Sequence, residues 1–95
     1  MTHQVVWEED AIEDRVGIFE FLFENAGSGV ADKVDSEIVS AVENISVFPF
    51  IGGAWRGMGR EYSMGKLPYN IYYDLDEEKE RVLILRILHN KRQSI

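Results

Sequence analysis

Arg81-Val82-Leu83-Ile84-Leu85-Arg86-Ile87-Leu88-His89-Asn90-Lys91-Arg92-Gln93 decides how this chain folds. From Arg81 to His89 the residues are apolar on both alternating faces, with one arginine, Arg86, in their midst. A strand of that kind is covered on both sides and lies at the centre of a sheet. It stops at His89 and passes into a short basic tail, Lys91 and Arg92. A buried strand has little use for an arginine, and a solvated tail has little use for so hydrophobic a lead-in. Together they point to a central strand that carries cationic groups to a functional edge.

Read back from that strand, residues 76–80 (Asp-Glu-Glu-Lys-Glu) make a charged hairpin loop. Tyr69 to Leu75, rich in tyrosine and isoleucine, reads as its partner strand. Gly65 to Pro68 is a turn, and Arg60 to Met64 is a shorter, mixed strand. Phe50 to Gly59 carries Gly52, Gly53, Gly57 and Gly59 around Trp55, Arg56 and Met58, and reads as a loop. Upstream, Val34, Ile38, Ala41, Val42 and Ile45 form the stripe of a helix over residues 31–47, closed by Pro49. Ile12, Val16, Phe19, Phe23 and Ala26 recur at helical spacing and predict an earlier helix with one apolar face. Ile18, Phe21 and Leu22 widen that stripe, so this helix should pack on more than one neighbour. Glu8, Glu9 and Asp10 suit its positive end, and Gly27-Ser28-Gly29 its stop. Gln4 to Trp7 is a short strand. The order is β-α-α-β-β-β, an α+β class in which a helical hairpin packs on a small, mainly antiparallel sheet.

The 95 residues suffice for one modest core, so residues 1–95 are read as a single domain. There is no cysteine, which excludes disulfides and thiolate chemistry. His3 and His89 stand too far apart, without acids at suitable spacing, to make a metal site, and no cofactor motif is present. The Gly-rich loop lacks the lysine and hydroxyl residue of a phosphate-binding loop. No signal peptide or membrane span is expected, which fits a cytoplasmic protein. Net charge is −7, unevenly spread. Residues 1–50 carry 11 acids against 2 bases, and residues 51–95 carry 6 acids against 8 bases. Such asymmetry separates surfaces with different partners.

Several stretches, in order, resemble the bacterial RelE/ParE toxin superfamily. Val5-Val6-Trp7 before an acidic helix start is similar to the family's opening. Pro49-Phe50-Ile51-Gly52 resembles its P-x-x-G after the second helix, and Gly59-Arg60-Glu61 its entry to the next strand. Pro68-Tyr69-Asn70-Ile71-Tyr72-Tyr73 resembles its P-Y-x-I-x-Y strand. Leu85 to Arg92 resembles its terminal strand and tail. The resemblance spans nearly the whole chain. It implies a toxin of a type II toxin–antitoxin module, held inactive by a cognate antitoxin in a hetero-oligomer.

The superfamily divides between ribosome-dependent mRNA endoribonucleases and inhibitors of DNA gyrase. RNA scission in a polyanionic ribosomal site calls for cations and for acid–base groups. The RNA-cutting relatives place lysines and an arginine where this chain has Glu61, Ser63 and Asn70. A ParE-like, non-enzymatic gyrase inhibitor is therefore the expected reading. The alternatives are a ribonuclease using Glu61, Arg86, His89 and Arg92, and an inactive relative.

Trp55, Arg56, Arg60, Arg86, Lys91 and Arg92 are the candidate contacts to target or antitoxin, because tryptophan and arginine are enriched at interface hot spots. Arg86 has a structural alternative, an ion pair with an acid such as Glu61. His89 has one as a packing residue, and Trp55 as a cap on the core. Tyr69 and Tyr73 are expected in the core with Ile71, and Tyr72 on the opposite face. The apolar stripe of the first helix exceeds what one small sheet can cover, and the acidic first half suits a basic partner segment.

Overall fold

A computed structural model describes residues 2–57 and 59–92. The elements are β1 (Gln4–Trp7), α1 (Glu9–Ala26), α2 (Ser28–Val47), β2 (Gly53–Ala54), β3 (Arg60–Ser63), β4 (Tyr69–Asp76) and β5 (Arg81–His89), followed by a 3-10 turn, Asn90–Arg92. The α+β class and the order of elements match the sequence reading. Two boundaries differ. The Gly-rich stretch contains a two-residue strand, β2, where a loop was expected. Ser28 and Gly29 open α2 rather than closing α1.

Gly27 alone joins the two helices. Its φ of 95° is one that side chains rarely adopt. Its N–H donates to the Phe23 carbonyl at 3.2 Å, and its own carbonyl accepts the Ala31 N–H at 3.1 Å. One residue therefore ends one helix and starts the next, which holds α1 and α2 as a tight hairpin. Glu9 and Asp10 occupy the first turn of α1, where the helix dipole favours acids. α2 stops at Val47, and Phe48 caps it ahead of Pro49.

The sheet runs β1-β5-β4-β3-β2, with β1 parallel to β5 and every other pairing antiparallel. β5 is thus interior, as its apolar faces required. Tyr73 pairs with Ile84 and Tyr72 with Arg86, so Leu85 is an extra residue on β5. Such a bulge bends the strand and re-aims the side chains after it. β1 flanks β5 only as far as Ile84. Beyond that point α1 takes over the same side.

The core lies between the hairpin and one face of the sheet. Val34, Ile38, Val42 and Ile45 of α2 meet Tyr69, Ile71 and Tyr73 of β4 and Val82, Ile84 and Ile87 of β5. The stripe foreseen for α2 and the inward tyrosines are where the sequence put them. The stripe foreseen for α1 is largely left outside the core, in line with its exceeding what the sheet can cover. Ile12, Val16 and Phe23 are about half exposed. Ala11 is fully buried, with Ile18 and Leu22 packed against the core from the same side. The inward face of α1 is narrow, and polar contacts complete it.

Candidate functional site

The face of the sheet turned away from the helices carries the sequence-nominated groups. Glu61 on β3 and Tyr72 and Asn70 on β4 are brought together by antiparallel register, with Glu61 opposite Tyr72 and Ser63 opposite Asn70. The Glu61 carboxylate Oε2 accepts from the Tyr72 hydroxyl and from the Asn70 amide, both at 2.8 Å. Trp55 lies over Tyr72, with ring centroids 4.7 Å apart, and the Arg56 guanidinium sits 5.6 Å from the Trp55 ring. Tyr72 is left 2% exposed. That burial, reinforced by the neighbouring Glu61 carboxylate, pushes its phenol up to about 12. The hydroxyl therefore keeps its proton at neutral pH and serves as a donor to Glu61.

The loop that carries Trp55 is pinned by contacts that small residues permit. The Tyr73 hydroxyl donates to the Pro49 carbonyl and accepts the Gly52 N–H, each at 2.9 Å. A Cβ on Gly52 would lie 2.8 Å from that hydroxyl and from the Glu61 carbonyl, so glycine is required there. Arg60 donates to the carbonyls of Phe50 and Gly52 and stacks 4.8 Å from the Phe50 ring. Arg60, nominated as a contact residue, is thus committed to holding the loop. Trp55 is half-buried on the outer face of the sheet against Tyr72, not a cap on the core.

Arg86 has the structural role foreseen for it, with a different partner. It does not meet Glu61. Its Nε and Nη2 donate to the Asp14 carboxylate of α1 at 2.7 and 2.9 Å. The same carboxylate accepts the Ile87 N–H at 2.9 Å. One acid on α1 thus satisfies the strand edge that β1 leaves open and the arginine beside it. The pairing holds the Arg86 guanidinium above its ordinary range. Asp14 lies 72 residues away in sequence, and no local pattern identifies it.

His89 ends β5 with its ring edge on Tyr69, 5.5 Å between centroids, and its Nδ1 accepts the Lys91 N–H at 3.2 Å. It is a packing residue and the cap of the 3-10 turn. Lys91 is exposed. The side chain of Arg92 falls outside the described residues. Arg86 and His89 line one pocket together with Asp14 and Lys91, and Glu61 is not part of that lining. Glu61 is engaged by Tyr72 and Asn70, Arg86 by Asp14, and His89 by Tyr69 and Lys91. Among the described residues no group of three His, Cys, Asp or Glu side chains could hold a metal ion. No helix among them is long and apolar enough to cross a membrane.

Comparison with known proteins places this geometry. A family model described as the ParE toxin of the type II toxin–antitoxin system, parDE, matches residues 5–94. A chain of the chromosomal ParDE toxin–antitoxin system from P. aeruginosa superposes with a TM-score of 0.80 at 20% identity, covering 93% of this chain and 96% of that one. A chain of the RelBE2 toxin–antitoxin complex from Mycobacterium tuberculosis superposes with a TM-score of 0.66 at 19% identity, covering 94% and 99%. At these identities the two structures establish the shared fold. No curated protein matched the sequence.

Proposed function

The chain belongs to the ParE toxin family of type II toxin–antitoxin systems, and we propose that it acts in the cytoplasm as a non-enzymatic inhibitor of DNA gyrase that a cognate antitoxin neutralises. The observation that carries this reading is the state of Glu61. Its carboxylate accepts two hydrogen bonds on the sheet face, at 2.8 Å each, one of them from the Tyr72 that Trp55 packs against. Cleavage of RNA by its 2′-hydroxyl needs a base to take that proton, donors for the phosphorane and an acid for the leaving oxygen. Glu61, partly buried, is already engaged by Tyr72 and Asn70, and among the described residues no lysine or arginine hydrogen-bonds to it. Arg60 and Arg86 are held by backbone carbonyls and by Asp14. The sheet face is organised as packing, which suits a protein that acts by binding.

On this reading DNA damage comes from the trapped topoisomerase, and the toxin contributes surface. Arg56 and Lys91, both exposed, and Arg92 in the terminal turn are the cations assigned to target contact. The test is supercoiling of relaxed plasmid by purified gyrase with and without the isolated chain, scored for cleaved DNA after protein denaturation. Inhibition with accumulation of linear plasmid is the expected result. Unimpaired supercoiling, together with site-specific cleavage of mRNA on translating ribosomes, would replace this reading with the ribonuclease one.

A further inference from the structure

Between the end of α2 and β2 the chain exposes apolar side chains on a rigid frame. Val47, Phe48, Phe50 and Ile51 are all exposed, Phe48 and Phe50 at 59% and 58%. The Ile51 N–H donates to the Phe48 carbonyl at 2.9 Å. With Pro49 second in the turn, that bond closes a tight reversal that gathers Phe48, Phe50 and Ile51 in one place. The turn is held from inside by the Tyr73 hydroxyl, which bonds Pro49 and Gly52, and by Arg60, which donates to Phe50 and Gly52. Aromatic side chains held out in water by a fixed backbone mark a contact surface prepared before its partner arrives. The charge around the turn differs from the rest of the chain. Residues 44–60 contain Arg56 and Arg60 and none of the 17 acids. Arg60 stacks on Phe50, and Arg56 is exposed beyond Trp55. Among the described residues neither arginine forms an ion pair with a carboxylate. Arg56 also has a φ of 48°, a left-handed conformation that glycine, such as Gly57 beside it at 68°, adopts without strain. An arginine set where glycine fits better has its use in its side chain.

We propose that this surface, Val47 to Ile51 bordered by Arg56 and Arg60, docks on an acidic protein surface with an apolar centre. The inference rests on the toxin reading, in which the owner of that surface is the gyrase target. Charge and apolar area together select the occupant. A second copy meeting the same patch across a two-fold axis would set arginines against arginines. Duplex DNA would engage the arginines through its phosphates and leave Phe48, Phe50 and Ile51 uncovered. An anionic membrane is disfavoured by the net charge of −7 that the chain carries. An acidic protein surface with an apolar centre covers the turn and pairs the arginines. Aromatic and arginine side chains are also the groups that carry most of the energy of such contacts.

The test uses the full chain, unaltered and as the variants Phe48→Ser/Phe50→Ser and Arg56→Gly. The first changes exposed positions, and the second places glycine where the backbone suits it, so both should fold. Binding to the gyrase holoenzyme is read by interferometry, alongside inhibition of supercoiling. The double serine variant should lose about tenfold or more in both. Arg56→Gly should lose about threefold and flatten the salt dependence of binding. Binding of duplex DNA alone that Arg56→Gly abolishes would assign the surface to nucleic acid and overturn the proposal. A dimer in sedimentation that the double serine change dissolves would assign it to a second copy and overturn it too. A further measurement does not depend on gyrase. Amide shifts of the isotope-labelled chain are followed with two leucine-rich peptides, one filled with glutamate and the other with lysine. The glutamate peptide should move residues 47–56, and the lysine peptide should not. Equal shifts with both, or none with either, refute the proposal. If the double serine variant does not fold, Arg56→Gly decides. Equal inhibition of gyrase by the unaltered and variant chains refutes this surface and leaves the toxin reading standing. An unaltered chain that neither binds nor inhibits gyrase rejects the toxin reading, and the peptide shifts then decide the surface alone.

Discussion

α1 and α2 are adjacent, similar in length and joined by a single residue, yet they use their apolar stripes in opposite ways. α2 buries Ala31, Val34, Ile38, Val42 and Ile45 against the sheet. α1 fully buries Ala11 alone and turns Ile12, Val16 and Phe23 toward solvent. What α1 lacks in apolar burial it supplies with fixed polar contacts. Asp14 holds the edge of β5, and Arg15 holds Asp35 of α2. Periodicity in a sequence reports that a helix has an apolar face. It does not report whether the chain itself covers that face or leaves it for another molecule.

If that contrast is right, the two stripes answer differently to truncation. The largest effect belongs to α2. Ile38→Ala removes a fully buried side chain at the centre of the core and should cost about 3 kcal/mol in denaturant unfolding. Next comes the polar anchor of α1. Asp14→Ala leaves the Ile87 N–H and the Arg86 guanidinium without their acceptor and should cost about 2 kcal/mol. A loss no larger than that of an ordinary surface change would mean that α1 is held by its apolar contacts after all.

A smaller effect is expected in acid. Arg15 holds the Asp35 carboxyl below its usual range through their hydrogen bond. Near pH 4 the unfolded chain therefore binds more protons at Asp35 than the folded one. Stability from this pair is present above the unfolded value and is lost as pH falls through the lower folded one. Because both side chains are partly exposed, the loss should stay below about 1 kcal/mol, and Asp35→Asn should remove that part of the pH dependence. The smallest effect belongs to the outer stripe. Val16→Ala should change stability by less than about 0.5 kcal/mol. A loss near that of Ile38→Ala would erase the contrast between the helices.

The architecture was legible because each element carried its own signal. The apolar run of β5 marked an interior strand, the tyrosines of β4 alternated correctly, and α2 showed one clean stripe. The facing of α1 was not legible. Ile12, Val16, Phe19 and Phe23 form the stronger periodic line, while the true inward residues, Ala11, Ile18 and Leu22, are fewer and include a small one. Physical cover decided, and cover depends on where β5 and α2 lie. The site was legible in part. Glu61, Tyr72 and Trp55 were singled out and do meet, through strand register that sequence can approximate. The partner of Arg86 was not legible, since Asp14 meets it only through the packing of α1 on a strand 72 residues away. Arg60 was read as a contact because arginine beside tryptophan suits an interface. Its commitment to the carbonyls of Phe50 and Gly52 depends on the path of the loop.

The central claim is that this chain inhibits by binding and does no chemistry at Glu61. The direct test is to compare the unaltered chain with Glu61→Gln in two assays, gyrase supercoiling and cleavage of mRNA on translating ribosomes. The account predicts that both proteins trap cleaved plasmid with gyrase to a similar extent and that neither cuts mRNA. Cleavage of mRNA by the unaltered chain, abolished by Glu61→Gln in a protein that remains folded, would contradict it.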